Sequence, residues 1–423
     1  MINTRKLVAE ALLKLYRENS YSNLMFTAAL KKCDADEKEI AFASNLFYGV
    51  LERKITIDYI LSKHLDKSIN KLHPFVLQVL RIGVYQIYFM DSVPDSAAVD
   101  ECVKLIKQSK QSFASGFANA VLRAVAREEN KSLPEENSIK YSCPKELADS
   151  LVSDYGQEDA CGFLADSLAV PPLYIRVNTC KISTDDLICE FLKDDIIAEK
   201  CEGVPNALKL KKITSFQNNR CFKKGYFHVQ DLASQICIEK LDVFENLRVL
   251  DICAAPGGKS FTIAENMKDH GDVVACDLYV QRVGLIAEGS AKLGIKIIKP
   301  MISDATKFDE NLGMFDRVLC DAPCSGFGVI RRKPEIKYKS FQEIEGLPQI
   351  QSDILNVASR YVKPGGKLVY STCTLRKAEN EHVVENFLQD HPKYELIEQT
   401  TLMPHKNGSD GFFAASLQLK SDR

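Results

Sequence analysis

The stretch that decides the fold is Asp251-Ile252-Cys253-Ala254-Ala255-Pro256-Gly257-Gly258-Lys259-Ser260. In it, a short apolar run passes through two adjacent glycines into a helical pattern. Adjacent glycines let a ligand approach the backbone closely at the N-terminus of the following helix. A tight strand-to-helix turn that binds no ligand is the alternative interpretation. The residues on both sides of the stretch bear on this choice.

Apolar runs alternate with helical patterns from about residue 226 to the end of the chain. The runs lie at 249–250, 273–276, 296–298, 317–320 and 367–370. This alternation is typical of parallel strands that cross over through helices. It predicts a Rossmann-like, doubly wound α/β domain over 226–423, which would bind its ligand at the carboxyl ends of the strands.

Carboxylates follow three of these runs, at Asp277, Asp304 and Asp321. An acid about 20 residues beyond a glycine turn can accept hydrogen bonds from ribose hydroxyls, although an acid there can also cap a helix. Three acids at strand ends favour a ligand that carries a nucleoside over one that carries phosphates, because like charges repel.

A phosphate-binding loop of an ATPase is the main alternative for the glycine turn. Gly258, Lys259 and Ser260 match the second half of that motif, whereas Cys253 stands where its first glycine belongs. The segment 317–321 resembles the carboxylate-bearing strand of such an enzyme. Calorimetry with candidate nucleotides would separate the two interpretations.

Two cysteines follow neighbouring strands of the predicted sheet, Cys324 in Asp321-Ala322-Pro323-Cys324-Ser325-Gly326 and Cys373 in Ser371-Thr372-Cys373-Thr374. In a parallel sheet both thiols lie on one rim, near the glycine turn. A thiolate is a strong nucleophile, so the pair suggests covalent catalysis. Each cysteine taken alone also fits a small buried apolar residue.

The chain before residue 226 divides into two further regions. Residues 1–130 contain few Gly or Pro and have apolar residues at helical spacing, which predicts an all-α bundle. Residues 131–225 begin with a polar segment and continue with a strand-like run at 173–178 and a helical run at 182–192. We therefore predict a linker and a small α+β module there.

Composition excludes several classes of protein. The 423 residues are 45% hydrophobic but contain no apolar run of membrane-spanning length, so we expect a cytoplasmic protein without a membrane partner. The 14 cysteines include no Cys-x-x-Cys pair, so we expect no metal site. A net charge of −2 means that any RNA contact depends on local basic patches.

Together the motifs resemble the RNA (cytosine-5) methyltransferase family. The matching residues are 253–259, Asp277, Asp304, 321–326 and 371–374, with further matches at 228–231, 379–381 and 410–413. Segments 48–50, 81–86 and 117–123 resemble a NusB-type RNA-binding domain. The combination is similar to the Sun/Fmu type of bacterial small-subunit rRNA methyltransferase. One departure is Tyr338, since family members often have Trp in the segment 334–338.

The resemblance implies a cofactor and a role for each residue. S-adenosylmethionine would donate a methyl group to C5 of a specific cytosine in 16S rRNA. Cys373 would attack C6 of the base and Cys324 would assist product release. Asp277 would bind the ribose, Asp304 the adenine side, and Asp321 would lie between cofactor and base. The methionine end would be held by Cys253, Ala254, Ala255, Pro256, Gly257, Gly258 and Lys259.

RNA contacts are expected just after the Cys324 loop. Arg331, Arg332 and Lys333 crowd this segment, with Lys337 and Lys339 close behind. Such a patch suits phosphates, although a solvated loop is the alternative. The expected partner is small-subunit rRNA, before or during subunit assembly. A non-enzymatic alternative is an antitermination-type RNA-binding protein with an inert catalytic domain, against which both cysteines argue.

Overall fold

The structure is a computed structural model, and it describes residues 3–18, 22–31, 36–212 and 219–421. The chain divides into two compact units. The first comprises Met1–Ala169 together with the short segment Ile330–Lys339, and the second comprises Val170–Val329 and Ser340–Arg423. Each unit is described separately below.

The first unit is built from helices. Within the described residues these are α1 (Thr4–Glu18), α2 (Ser22–Lys31), α3 (Glu37–Glu52), α4 (Lys54–Ser62), α5 (Pro74–Phe89), α6 (Asp95–Lys107), α7 (Ser115–Ala126), α8 (Asn137–Lys140) and α9 (Lys145–Asp166). α5 begins with proline, and the His73 side chain before it accepts a hydrogen bond from the Phe75 N–H. Proline suits that position because a first helical residue needs no N–H donor. The all-α prediction for residues 1–130 is confirmed over the described part.

The first unit also includes α8 and α9, which lie within the region 131–225. The Thr56 hydroxyl donates to the Ile139 carbonyl at 2.5 Å, and the Ser142 hydroxyl accepts from the Ile55 N–H at 3.0 Å. These bonds tie the polar segment 137–142 to α4. The polar composition of this segment predicted a linker, but in the structure its polar groups are hydrogen-bonded to α4.

The second unit contains the strands. Its elements among the described residues are β1 (Leu173–Val177), α10 (Thr184–Leu192), β2 (Ile197–Lys200), β3 (Ala207–Lys212), α11 (Arg220–Lys223), β4 (Phe227–Val229), α12 (Leu232–Glu239), β5 (Arg248–Asp251), α13 (Gly258–Asn266), β6 (Asp272–Asp277), α14 (Val280–Leu293), β7 (Ile298–Ile302), β8 (Phe315–Asp321), α15 (Phe341–Ile344), α16 (Leu347–Ser359), β9 (Val362–Thr372), α17 (Glu381–Asp390), β10 (Tyr394–Leu402), α18 (Pro404–Asn407) and β11 (Phe412–Leu419).

Among the described strands, β1 to β4 form one antiparallel sheet in the order β2-β3-β1-β4. The other seven form a larger sheet in the order β10-β11-β9-β8-β5-β6-β7. In this sheet β9, β8, β5, β6 and β7 are parallel, and β10 and β11 add an antiparallel edge. The predicted Rossmann-like fold is confirmed, with this antiparallel edge as an addition.

Both faces of the larger sheet are covered by helices. Val249 belongs to the same buried cluster as Ile263 of α13, whereas the next residue, Leu250, belongs to the cluster of Leu355 of α16 on the opposite face. This alternation follows from the two-residue repeat of a strand. The chain order along the sheet reverses between β5 and β8, and such a switch point leaves a crevice at the carboxyl ends. No helix in the described ranges has the length and apolar character needed to cross a membrane.

Candidate active site

The turn between β5 and α13 is shaped by a glycine. Gly257 has a φ of +108°, a conformation that side chains rarely adopt. A Cβ atom added there would lie 2.5 Å from Cζ of Phe261. The Ala254 N–H donates to the Cys276 carbonyl at 2.7 Å, so the turn is tied to the end of β6. The result is a bare backbone surface at the crevice.

Asp277 lies beside this turn. It is 4% exposed, and Oδ2 accepts a hydrogen bond from the Ala255 N–H at 3.3 Å. Arg282 of α14 approaches the same oxygen at 3.4 Å and donates to the Ala255 carbonyl at 3.0 Å. Sequence analysis missed Arg282, because a cation five residues after a strand end carries no signal of its own. Together the two side chains hold the turn against β6.

Asp304 follows β7 and makes its contacts locally. Its carboxylate accepts from the Thr306 N–H and hydroxyl at 3.1 and 2.7 Å, and it pairs with Lys307 at 2.9 Å. Hydrogen bonds from Lys307 and Thr306 lower the pKa of Asp304 to about 2. The carboxylate is therefore charged at neutral pH, and its contacts close the turn at 304–307 rather than cap a helix.

Asp321, at the end of β8, connects three elements. Oδ2 accepts from Nζ of Lys259 at 2.7 Å, and Oδ1 accepts from the Ser371 hydroxyl at 2.8 Å. Burial lowers the pKa of Lys259, but the Asp321 carboxylate together with Cys237 and Cys373 outweighs burial and raises that pKa. Lys259 is thus a permanent cation already paired with an acid. A phosphate-binding lysine needs to be available to phosphate, so this pairing argues against an ATPase loop.

The two predicted cysteines meet at the same rim. Sγ of Cys324 lies 3.3 Å from Sγ of Cys373; the two residues are not joined by a disulfide, and both are partly exposed. The hydrogen bond to Cys373 is the largest cause that raises the pKa of Cys324, followed by burial and by the charges of Cys373 and Glu379. Cys324 therefore keeps its proton at neutral pH while it is bonded to Cys373.

The loops that carry these thiols approach each other through glycine. The Gly328 N–H donates to the Cys373 carbonyl, and the Gly411 N–H donates to the Gly328 carbonyl, both at 2.9 Å. A Cβ atom on Gly328 would lie 1.9 Å from the Gly411 carbonyl oxygen. Sequence analysis missed Gly328, because the lack of space for a side chain there becomes visible only when its loop packs against Cys373 and Gly411.

A buried acid beneath the turn was also missed. Asp251 is 0% exposed, its Oδ2 accepts from the Ser260 hydroxyl at 2.6 Å, and its Oδ1 has no hydrogen-bond partner. Burial raises the pKa of Asp251 to about 7.

The glycine turn fits S-adenosylmethionine better than a triphosphate. Its backbone surface is bare, the acids Asp277 and Asp304 lie at the same sheet edge, and its one cation, Lys259, is paired with Asp321. The thiol of Cys253 is partly exposed in this turn.

The predicted RNA-contact segment is placed differently from the expectation. Arg331 is 5% exposed, and its guanidinium pairs with Asp166 of α9 at 3.0 Å. This ion pair makes Arg331 unavailable to a phosphate. The sequence alone did not show the pairing, because Asp166 lies 165 residues away in the chain. Arg332 is half-buried and Lys333 is exposed. Lys337 is buried and donates to the Glu52 carbonyl, which fixes the segment on α3.

Across the described residues, no group of three or more His, Cys, Asp or Glu side chains could hold a metal ion.

Three family models match the chain. Residues 238–418 match "16S rRNA methyltransferase RsmB/F", residues 2–127 match the NusB family, and residues 143–217 match the ferredoxin-like domain of RsmF/B-like methyltransferases. The last match includes α9 together with β1 to β3. The ferredoxin-like match, at residues 143–217, lies inside the region predicted as 131–225.

Full-length relatives carry consistent names. The "Probable ribosomal RNA small subunit methyltransferase B" of Bacillus subtilis (strain 168) is 36% identical, with 99% of each chain covered. The ribosomal RNA small subunit methyltransferase B of Photorhabdus laumondii is 31% identical, with 90% of this chain and 91% of the relative covered. These matches extend over both units.

Solved structures share the fold. The crystal structure of PH0851 has a TM-score of 0.83 and 28% identity, covering 98% of both chains. NSun6 from Pyrococcus horikoshii, solved with the S-adenosylmethionine analogue SFG, has a TM-score of 0.61 and 24% identity, covering 66% of this chain and 99% of that one. The chain therefore belongs to the RsmB/F family of S-adenosylmethionine-dependent 16S rRNA methyltransferases.

Proposed function

We propose that this protein methylates C5 of a cytosine in 16S rRNA through a covalent bond between Cys373 and C6 of the base. The observation that carries the proposal is the pair of thiols 3.3 Å apart at the carboxyl ends of adjacent parallel strands. They lie on the same sheet edge as the glycine turn. An RNA methyltransferase that acts on an exocyclic amine would have no use for a thiol pair here.

The chemistry explains why a thiol is needed. C5 of cytosine is a poor nucleophile while the ring is aromatic. Addition of the Cys373 thiolate to C6 breaks the aromaticity and makes C5 an enamine carbon. The cofactor, when bound, supplies an electrophilic methyl group. C5 then loses its proton to a base, the C6–S bond breaks, and the thiolate returns to Cys373.

The second thiol suits the release step. In the free enzyme the hydrogen bond to Cys373 is the largest cause that raises the pKa of Cys324. Formation of the adduct converts the Cys373 sulfur into a thioether and removes that cause. The pKa of Cys324 then falls, so that Cys324 can lose its own proton to water and, as a thiolate, take the C5 proton. Cys373 thus acts as nucleophile and Cys324 as the proton-transfer group in release.

The remaining predicted residues hold the two substrates. The turn Cys253-Ala254-Ala255-Pro256-Gly257-Gly258-Lys259 would bind the methionine end, Asp277 the ribose and Asp304 the adenine side. Asp321 would hydrogen-bond the base, because Lys259 and Ser371 fix its carboxylate at the rim. A carboxylate held in place in this way loses little entropy on binding.

RNA recognition is assigned to the parts outside the larger sheet. Residues 1–130, which match the NusB family, and the following module would bind rRNA before or during subunit assembly in the cytoplasm. Arg332 and Lys333 remain candidate phosphate contacts. A target cytosine in structured RNA would have to leave its stack to reach Cys373.

Substitution of each thiol tests the mechanism. Cys373→Ser should abolish methylation, because serine cannot supply a thiolate. Cys324→Ser should form the adduct and fail to release it, which gives a protein–RNA band of reduced mobility on a denaturing gel. The control Cys189→Ser removes an exposed thiol of α10 and should methylate normally.

The outcomes separate the possible errors. Swapped results for Cys373→Ser and Cys324→Ser would reverse the two roles. Normal methylation by both variants would end the proposal. Calorimetry should show binding of S-adenosylmethionine to the wild-type protein and none of ATP, and binding of ATP alone would restore the ATPase alternative.

A further inference from the structure

A buried carboxylate lies between the two thiol loops. Glu379 is 0% exposed and ends a short 3-10 turn at Lys377–Glu379. Its Oε2 accepts hydrogen bonds from the Ser325 N–H at 2.8 Å and from Nε2 of Gln351 at 2.9 Å. Its Oε1 pairs with the Arg376 guanidinium at 3.0 Å. Three donors are thus directed at one side chain.

These donors come from different parts of the site. Ser325 directly follows Cys324, and Arg376 lies three residues after Cys373 in the other thiol loop. Gln351 belongs to α16 and also donates to the Pro323 carbonyl at 3.0 Å, just before Cys324. The carboxylate of Glu379 therefore holds the backbone on one side of Cys324 directly, and on the other side through Gln351.

Two further bonds brace the same arrangement. The hydroxyls of Ser325 and Thr374 lie 2.7 Å apart and join the two thiol loops. The Tyr370 hydroxyl donates to the Glu379 carbonyl at 2.6 Å, which holds the turn against β9. Glu379 is thus fixed through its backbone as well as its side chain.

A carboxylate suits this position better than an amide does. Its two oxygens only accept, and here all three neighbours donate. Glutamine would place an NH2 group against at least one of these donors and leave it unsatisfied in a buried site, which is costly. The Arg376 cation compensates the buried charge. These requirements are specific to glutamate.

We infer that Glu379 is a positioning residue that holds the Cys324 thiol in place for product release. The inference rests on the two-cysteine mechanism proposed above. Glu379 accepts from the Ser325 N–H and from Gln351, so it acts on Cys324 through these two neighbours. Loss of the Glu379 carboxylate should therefore slow release of the methylated base and have little effect on the affinity for the cofactor.

The test compares Glu379→Gln with the wild type in single-turnover and steady-state methylation. The kcat should fall by about 10- to 100-fold, as expected for a small misplacement of a reacting group. The KM for S-adenosylmethionine should change by less than about twofold, since the turn at 253–259 is untouched. The covalent protein–RNA band should accumulate, as with Cys324→Ser.

A second readout needs no RNA. The negative charge of Glu379 is among the causes that raise the pKa of Cys324, after the Cys373 hydrogen bond, burial and the Cys373 charge. The pH profile of Cys324 alkylation by iodoacetamide, followed by mass spectrometry, should shift to lower pH in Glu379→Gln. A residue with only a structural role would not move this profile in a folded protein.

Two further variants guard the interpretation. Glu385→Gln makes the same change on an exposed residue of α17 and should match the wild type. Gln351→Met removes the donor to Glu379 and to Pro323 while keeping the Glu379 charge. It should accumulate adduct to a smaller extent, and it decides the matter if Glu379→Gln fails to fold.

The results distinguish this inference from the proposed function. If Cys324→Ser traps the adduct while folded Glu379→Gln and Gln351→Met behave as wild type, the positioning role is wrong and the mechanism stands. If Cys324→Ser traps no adduct, the mechanism itself is wrong. If Glu379→Gln loses kcat only in step with its folded fraction, the residue is merely structural and the inference fails.

Discussion

At the end of β5, Asp251 is completely buried and accepts a hydrogen bond from the Ser260 hydroxyl at 2.6 Å. Burial disfavours the charged form of a carboxyl and raises its pKa, here to about 7. The group therefore holds its proton in the folded protein under conditions where an unfolded chain has lost it. The free energy of unfolding therefore depends on pH through the titration of Asp251.

The sign of this effect can be measured. Between about pH 4 and pH 7 the folded state binds more protons at Asp251 than the unfolded state does, so stability decreases as pH rises. Asp251→Asn removes the titration while keeping an acceptor for Ser260. The free energy of unfolding of the variant, relative to wild type, should rise by about 2 kcal/mol from pH 5.5 to pH 8. A difference that stays constant over this range would contradict the assignment.

At the scale of elements, the glycine turn depends on how α13 and α14 pack. Phe261 of α13 lies between two glycines, Gly257 in the turn and Gly289 in α14. A Cβ atom on Gly289 would lie 2.4 Å from Cζ of Phe261, whereas nothing lies within 4 Å of one on Gly284 in the same helix. The helix thus approaches the ring closely at one glycine and not at the other.

This difference gives a matched pair of variants. Gly289→Ala should push the Phe261 ring toward the turn and destabilise the protein by about 1–3 kcal/mol, as overpacking does. It should also weaken binding of S-adenosylmethionine. Gly284→Ala should stabilise α14 by about 0.5–1 kcal/mol, because alanine has a higher helix propensity than glycine. Thermal unfolding and calorimetry measure both effects, and equal behaviour of the variants would refute the packing argument.

At the scale of the whole molecule, the chain leaves the second unit after Val329 and returns to it at Ser340. The segment between contributes buried residues to the first unit, where Tyr338 donates to the Leu51 carbonyl at 2.8 Å and Arg331 pairs with Asp166. The helical unit is therefore completed by a piece of chain that follows the Cys324 loop in sequence.

Limited proteolysis tests this assignment. A fragment of residues 170–423 lacks Leu51, Glu52 and Asp166, so its segment 330–339 should open and be cut by trypsin after Arg331 or Lys337. In the full chain the same bonds should be cut at least about tenfold more slowly, because buried backbone has to unfold locally first. Mass spectrometry identifies the cuts, and adding residues 1–169 should restore protection. Equal cutting rates in fragment and full chain would show that the segment is not held.

The sequence by itself determined the class of fold and the residues at the sheet edge. Alternating apolar runs and helical periodicity record which face each residue buries, and these patterns are local. They predicted the parallel strands and the all-α start, and they put Asp277, Asp321, Cys324 and Cys373 at strand ends. The cofactor was implied by the resemblance of these motifs to a methyltransferase family, and the family comparisons confirm it.

Only the tertiary structure decided the distances. The 3.3 Å between the thiols, the three donors on Glu379 and the pairing of Arg331 with Asp166 each join residues far apart in the chain. Such contacts depend on strand order and on how loops close against each other. Local periodicity carries no information about strand order or loop closure, because residues far apart in the chain bond only when the folded structure brings them close together.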